Sequence, residues 1–249
     1  MKFFFNLIFY QPLFNSLTLL YNSIAFNDLG LAIILLTFII RMILYPLFYT
    51  TYKNQTIIQK IQPDIKKIQH DHKHNKEKQA QALFELYRQH KINPFSGFFL
   101  ILIQLPILIA LYQVFLKGFS PELFSNLYSF IAAPDFINHT FLGLLDLTKP
   151  AIVITALAAG AQYLQGRMSI RSTAPNQEIS PQERIGRQMV FIGPIFTLVI
   201  LYSLPAAVGL YWLTTSAFSV TQQFLINRSL LQNGNTSIAN QNIDGVKRP

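Results

Sequence analysis

Residues 29–50, LGLAIILLTFIIRMILYPLFYT, form a run of twenty-two residues with one charge, Arg41. A helix rises about 1.5 Å per residue, so this length suits a hydrocarbon core of about 30 Å. A guanidinium at mid-depth costs about 2.5–3.5 kcal/mol on insertion scales. Arginine cannot escape by losing its proton, which it holds to a pH above about 12. Such a span is tolerated only where the side chain faces water, meets a polar partner or snorkels to an interface. Asp28 lies thirteen residues away at the far end, and the other long apolar stretches carry no charge. The pattern therefore asks for a wet cavity whose walls come from the rest of the chain. The alternative places Arg41 lower and lets it snorkel.

Composition points the same way. Of 249 residues, 51% are hydrophobic and only 12% charged, against about 25% charged in an ordinary soluble domain. That deficit marks a polytopic membrane protein. The chain has no cysteine, which excludes disulfides, thiolate metal sites, a cysteine nucleophile and a lipoprotein anchor. At the amino end, the apolar run in MKFFFNLIFYQPLF is broken by Asn6 and Gln11-Pro12, and no small-residue cleavage site follows. From Pro12, Leu13, Leu17, Leu20 and Ile24 repeat at helical spacing. Residues 12–25 thus read as an amphipathic helix in the membrane interface, within an N-terminal segment 1–27. An uncleaved anchor over residues 3–26 is the competing reading.

Residues 51–94 hold nine Lys or Arg against four acids, an excess expected on the cytoplasmic side. Apolar residues recur at Ile57, Ile58, Ile61, Ile65 and Ile68, then at Ala82, Leu83, Leu86 and Tyr87. Two amphipathic helices joined at HDHKHNKEK, a helical hairpin, account for both patterns. His70, His72 and His74 sit in that turn. Nothing beyond Asp71 completes a metal site there, so a solvated loop tip is the preferred reading and metal binding the minor one. A second span covers residues 95–115, interrupted by Gln104 and Pro106. Residues 117–150 have two lysines against three acids and belong outside. A third span, 148–164, is rich in small residues and ends near Gln162. The next loop carries Arg167, Arg171, Arg184 and Arg187 and returns inside. Residues 188–227 are uncharged and twice the length one span needs. Ser203-Leu204-Pro205 offers the break, giving spans 188–204 and 206–227. The expected fold is all-α and polytopic. It comprises a membrane core 28–230 with five transmembrane helices and the cytoplasmic hairpin 51–94, then a disordered tail 231–249.

In this order and spacing, five stretches resemble the YidC-type membrane protein insertases of the YidC/Oxa superfamily. They are FIIRMILYPL, INPFSG (Ile92 to Gly97), LIQLPILIALY (Leu102 to Tyr112), FLGLLDLTKP and LPAAVGLYWLTTSAFSVTQQFLINR. The likeness covers nearly all of residues 10–230. It implies a hydrophilic groove open to the cytoplasm and to lipid but sealed outside, with Arg41, Gln104, Gln162, Tyr211 and Trp212 as groove or substrate-contact positions. It implies no catalytic residues, no metal and no cofactor. The implied partners are nascent membrane proteins and the lipid bilayer, together with the ribosome, the signal recognition particle pathway and the Sec translocon. The implied place is the bacterial cell membrane, amino terminus outside and carboxyl terminus cytoplasmic. Two departures stand out. No large domain precedes the first core span, as in shorter members, and the tail is weakly basic, which speaks against direct binding to ribosomal RNA.

The residues support such a role without the name. A half-channel with a fixed positive charge shortens the low-dielectric path of a polar, often acidic segment while the attached apolar helix enters lipid. The spans hold no serine–histidine pair, paired aspartates or phosphate loop, so an enzyme reading lacks its groups. Two rivals remain at this stage. A small anion channel or transporter also uses a lone membrane arginine, but it favours paired broken repeats that are missing here. A scaffold subunit would place Tyr211 and Trp212 in a lipid-facing aromatic belt.

Overall fold

Pro46 has no N–H to donate to the carbonyl of Met42, and its ring crowds that turn. In the computed structural model, which describes residues 2–117, 121–170 and 181–245, the expected span 29–50 breaks one residue before Tyr45-Pro46. Helix α3 covers Leu29–Ile43 and α4 covers Tyr45–Lys60. The two meet at 68°. Leu44 closes α3 through its N–H to the Ile40 carbonyl at 2.9 Å and opens α4 by accepting from Phe48 at 3.1 Å. Arg41 therefore sits in the last turn of a 15-residue helix, not in the middle of a long one. Pro63 stands in the first turn of α5 (Gln62–Asp71), with Ile61 as the cap shared by α4 and α5.

The amino end also differs from expectation. It is helical from Lys2: α1 (Lys2–Phe5), a π-helical turn (Asn6–Tyr10) and α2 (Gln11–Ser23) follow without a break. Phe3–Ser23 is long and apolar enough to cross a membrane. Tyr10, Phe14, Leu17 and Tyr21 are buried at the centre of the core. Polar residues of α2 clamp the segment after α7 (Ser96–Lys117). Asn15 donates to the Asn126 carbonyl at 3.0 Å and accepts from the Tyr128 N–H at 2.7 Å. Asn22 donates to the Ala132 carbonyl at 2.8 Å. The Tyr21 hydroxyl accepts from the Asn138 N–H at 2.7 Å and donates to the Phe136 carbonyl at 3.3 Å. One polar stripe on α2 thus holds the thirteen-residue stretch 126–138, which has almost no regular structure of its own. Substituting Asn15 by leucine keeps its branched outline but strands the Tyr128 N–H, worth about 1–3 kcal/mol when buried, while Gln11 still donates to the Asn126 carbonyl at 3.3 Å. The expected result is a lower melting temperature and loss of amide protection at Tyr128, with protection in α3 unchanged. Protection at Tyr128 equal to wild type would mean that Asn15 holds nothing in place.

The charged stretch is helical, but the first helix implied by the isoleucine periodicity is split at Pro63 between α4 and α5. α5 packs on α6 (Lys76–Gln89) through Ile61, Ile65 and Ile92, with Ile57, Ile58, Leu83, Leu86 and Tyr87 around them. Asn75 caps α6 by accepting from the Lys78 N–H at 3.0 Å. His70, His72 and His74 sit at the tip. His70 is exposed beside Asp71, and no group of three His, Cys, Asp or Glu able to hold a metal occurs among the described residues. The hairpin returns through INPFSG, where Asn54 of α4 donates to the Asn93 carbonyl and to the Ser96 hydroxyl.

Three more long helices complete the core: α7 (Ser96–Lys117), α8 (Ile152–Met168) and α9 (Pro181–Leu201). α10 runs Ala206–Gly245, so it extends over most of the segment read as a disordered tail; residues 171–180 and 246–249 lie outside the described residues. By length and apolarity two described helices are spans, Phe3–Ser23 and Ser96–Leu116, or three with the bent pair; Gly186–Leu201 is a shorter apolar helix. At the end opposite the hairpin, β1 (Thr140–Phe141) and β2 (Leu145–Asp146) form a two-stranded turn. The carbonyls of Lys149 and Leu147 accept from Ala206 and Ala207, satisfying the first N–H groups of α10. Asp28 caps α3 and reaches the same turn, accepting from Leu31 at 2.9 Å and Leu142 at 2.6 Å.

Candidate functional site

Because the chain turns at Leu44, Phe48 comes back against Arg41. Along a straight helix the two Cα atoms would be about 10 Å apart in rise. In the bent chain the guanidinium carbon lies 4.0 Å from the Phe48 ring centroid and 5.9 Å from that of Phe218 on α10. A cation over an aromatic face gains about 0.5–2 kcal/mol, more as water is excluded. Nη2 donates to the Thr215 carbonyl at 3.0 Å, which also accepts from the Ser219 hydroxyl. The closing turn of α3 adds a partial negative charge next to this cation. These contacts replace the missing acid. Arg41 is only 4% exposed, so it does not snorkel. Its Nη1 is buried and makes no hydrogen bond of normal geometry among the described residues, with Tyr52 the neighbouring hydroxyl.

Arg41 forms one wall of a cavity of about 300 Å³. The other four positions named from sequence line the same cavity: Gln104 from α7, Gln162 from α8, and Tyr211 and Trp212 from α10. Gln104 donates its amide to the Tyr211 hydroxyl. Gln162 accepts from the Thr197 hydroxyl of α9, and also borders a second cavity of about 350 Å³ between α8 and α9 with Gln55, Gln165 and Ser169. Four helices therefore contribute, although the five residues span 171 positions of sequence.

Several lining residues escaped the sequence reading: Tyr52, Gln165, Thr215, Ser216 and Ser219. A signal existed for those on α10. Tyr211, Thr215, Ser219 and Gln223 follow at intervals of four, which puts them along one helix face. Reading 188–227 only for its lack of charge hid that stripe. Gln223 extends it, donating to the Ser169 hydroxyl at 3.2 Å. Gly97 lines the cavity with open space where a Cβ would stand.

A helical membrane protein that presents a desolvated cation to a largely apolar cavity, with a few glutamines and hydroxyls rather than acid–base pairs around it, is suited to hold chain by charge, hydrogen bonding and apolar contact. The profile of the 60Kd inner membrane protein family matches residues 20–233, and the chain belongs to that family. A relative from Fusobacterium nucleatum subsp. nucleatum, described as membrane protein insertase YidC, is 33% identical over 200 residues, covering 80% of this chain and 86% of the relative. Proteins of the same description from Geobacter sulfurreducens and Francisella tularensis subsp. novicida are 31% and 34% identical, covering 88% and 80% of this chain. The chain spans only 37% and 32% of those two longer proteins. Among solved structures, an active YidC insertase with its first transmembrane domain resolved superposes with a TM-score of 0.55 at 25% identity, covering 87% of this chain and 45% of that one.

Proposed function

We propose that this protein is a membrane protein insertase: it moves short polar segments of nascent membrane proteins across the bilayer and releases their helices into lipid, making and breaking no covalent bond. The observation that carries the reading is the Arg41 guanidinium, a cation with no acidic partner among the described residues, buried in the wall of the 300 Å³ cavity. An acidic residue of a segment passing through the cavity is attracted by that charge across the low-dielectric wall. Gln104, Gln162 and the Tyr211 hydroxyl offer donors and acceptors that suit an unfolded backbone. Tyr211 is 2% exposed, which removes it from any lipid-facing belt and weighs against a purely scaffolding role.

The protein sits in a bacterial inner membrane, with five spans in the core and the basic hairpin on the cytoplasmic side, where it meets the ribosome, the signal recognition particle pathway or the Sec translocon. Cysteines replacing Asn75 and Asp135 should then react with impermeant reagents from opposite sides, the first from the cytoplasm. Labelling of both from one side would overturn this topology. The functional test is Gly97→Leu. Leucine has the better helix propensity by about 0.8 kcal/mol, and the site has room for its Cβ, so melting should not fall. Its side chain occupies the cavity, so insertion of a single-span substrate in depleted cells complemented with the variant should fail. Normal insertion with Gly97→Leu would show that the cavity is not the path.

A further inference from the structure

At the end of the bundle opposite the charged hairpin, two turns hold large apolar side chains away from the protein. Phe26 is 87% exposed, Leu142 59% and Leu144 90%. Phe26, Asn27 and Leu142 have φ of 52°, 57° and 51°, the left-handed region that residues with a Cβ rarely adopt. The structure enforces both turns through Asp28, whose N–H donates to the Ala25 carbonyl at 2.9 Å and whose carboxylate receives Leu142. The Phe141 ring lies directly on Gly30, fixing the β-turn against the first turn of α3. Strained turns that end in exposed leucine and phenylalanine have no value in water.

We propose that Phe26, Leu142 and Leu144 form a lipid wedge that dips into the membrane leaflet on that side. Three observations favour lipid as the occupant. The tip 142–145 is uncharged, the next acid and base along the chain, Asp146 and Lys149, pair with each other at 3.1 Å, and the Asp28 carboxylate beneath the turn is buried on backbone N–H groups. The patch continues the exposed apolar surface of α2, where Leu19 and Ile24 lead to Phe26. Its height is that of the first turn of α3, where the apolar run begins. Phe136, exposed across an open cavity of about 660 Å³ from Phe26, extends the patch, and Asp135 marks its watery edge. The wedge would hold that end of the bundle at fixed depth while the hairpin end moves. It stands apart from the proposed function and does not depend on it.

The chain has no cysteine, so Leu144→Cys, Phe26→Cys and Asp135→Cys can each carry a single environment-sensitive fluorophore. The proteins are reconstituted in phosphatidylethanolamine–phosphatidylglycerol vesicles with and without lipids bearing a nitroxide near the top of the acyl chain. Probes at 144 and 26 should emit blue-shifted from the probe at 135 and lose intensity to the nitroxide, while 135 keeps its aqueous emission. Aqueous emission without nitroxide quenching at 144 and 26 would overturn the proposal. So would a blue shift that disappears when each vesicle holds one protein, which would assign the patch to a second copy. The unsubstituted protein gives an independent reading. A photoactivatable diazirine lipid should label the peptide containing residues 142–146, and its absence there would also overturn the wedge.

Discussion

Replacing Arg41 by alanine should leave the protein folded, with a melting temperature equal to or above that of the wild type, yet lower insertion of substrates with acidic translocated tails by about thirtyfold. The stability half follows from opposed terms. Burying a guanidinium costs several kcal/mol, while the Thr215 carbonyl bond returns about 1.5–3 kcal/mol and the Phe48 face about 0.5–2 kcal/mol. Nη1 makes no hydrogen bond of normal geometry among the described residues, so little offsets its share. Removing the cation deletes both columns, and the Thr215 carbonyl keeps the Ser219 hydroxyl as a donor. The activity half follows from Coulomb's law. A carboxylate about 8 Å away at an effective dielectric of about 20 gains ~2 kcal/mol, close to a factor of thirty in rate or occupancy. Substrates with neutral tails should lose far less. Arg41→Lys should keep most of the activity, since one ammonium can reach the Thr215 carbonyl while lying over Phe48. The measurements are melting temperature and protease accessibility of one acidic-tail and one neutral-tail substrate in both variants. Equal insertion of the two substrates by Arg41→Ala would remove the charge from the mechanism.

That Arg41 needs a cavity was legible from its isolation in an apolar run, and the four partner positions came from motif order. How the cation is held was not. The sequence reading treated 29–50 as one rod and looked for a charged partner in it and in the other apolar stretches. Pro46 was in plain view, but a proline two residues into a helix and a proline inside one read alike until the carbonyl it abandons is located. Pro106 and Pro194 lie inside α7 and α9 without breaking either, so proline alone does not announce a bend. The α2 stripe failed for a different reason. Asn15 and Asn22 look the same whether they face water or the backbone of a distant loop, and only the three-dimensional arrangement shows residues 126–138 lying across them. The hairpin was the easier case, because its isoleucines bury against their own sequence neighbours.

Gly30 should be the least replaceable small residue at the outer end. An added Cβ would fall inside the Phe141 ring, which already lies against the helix backbone. Relief requires that the β-turn lift off, and the turn is tied at several points: Leu142 to Asp28, and the Leu147 and Lys149 carbonyls to the first N–H groups of α10. Overpacking of this kind costs about 1–3 kcal/mol in a core that can adjust. Losing the Asp28 contact in addition strands a donor for about 1–3 kcal/mol more. Gly30→Ala should therefore lower the melting temperature by more than Asn15→Leu does, and expose residues 140–148 to amide exchange. Phe141→Ala alone should destabilise as well, through lost packing against α3. The two together should be less harmful than their sum, because the smaller side chain makes room for the new methyl. A coupling of that sign is the signature of direct contact. Strict additivity of the two losses would mean that Phe141 does not rest on Gly30 in the folded protein.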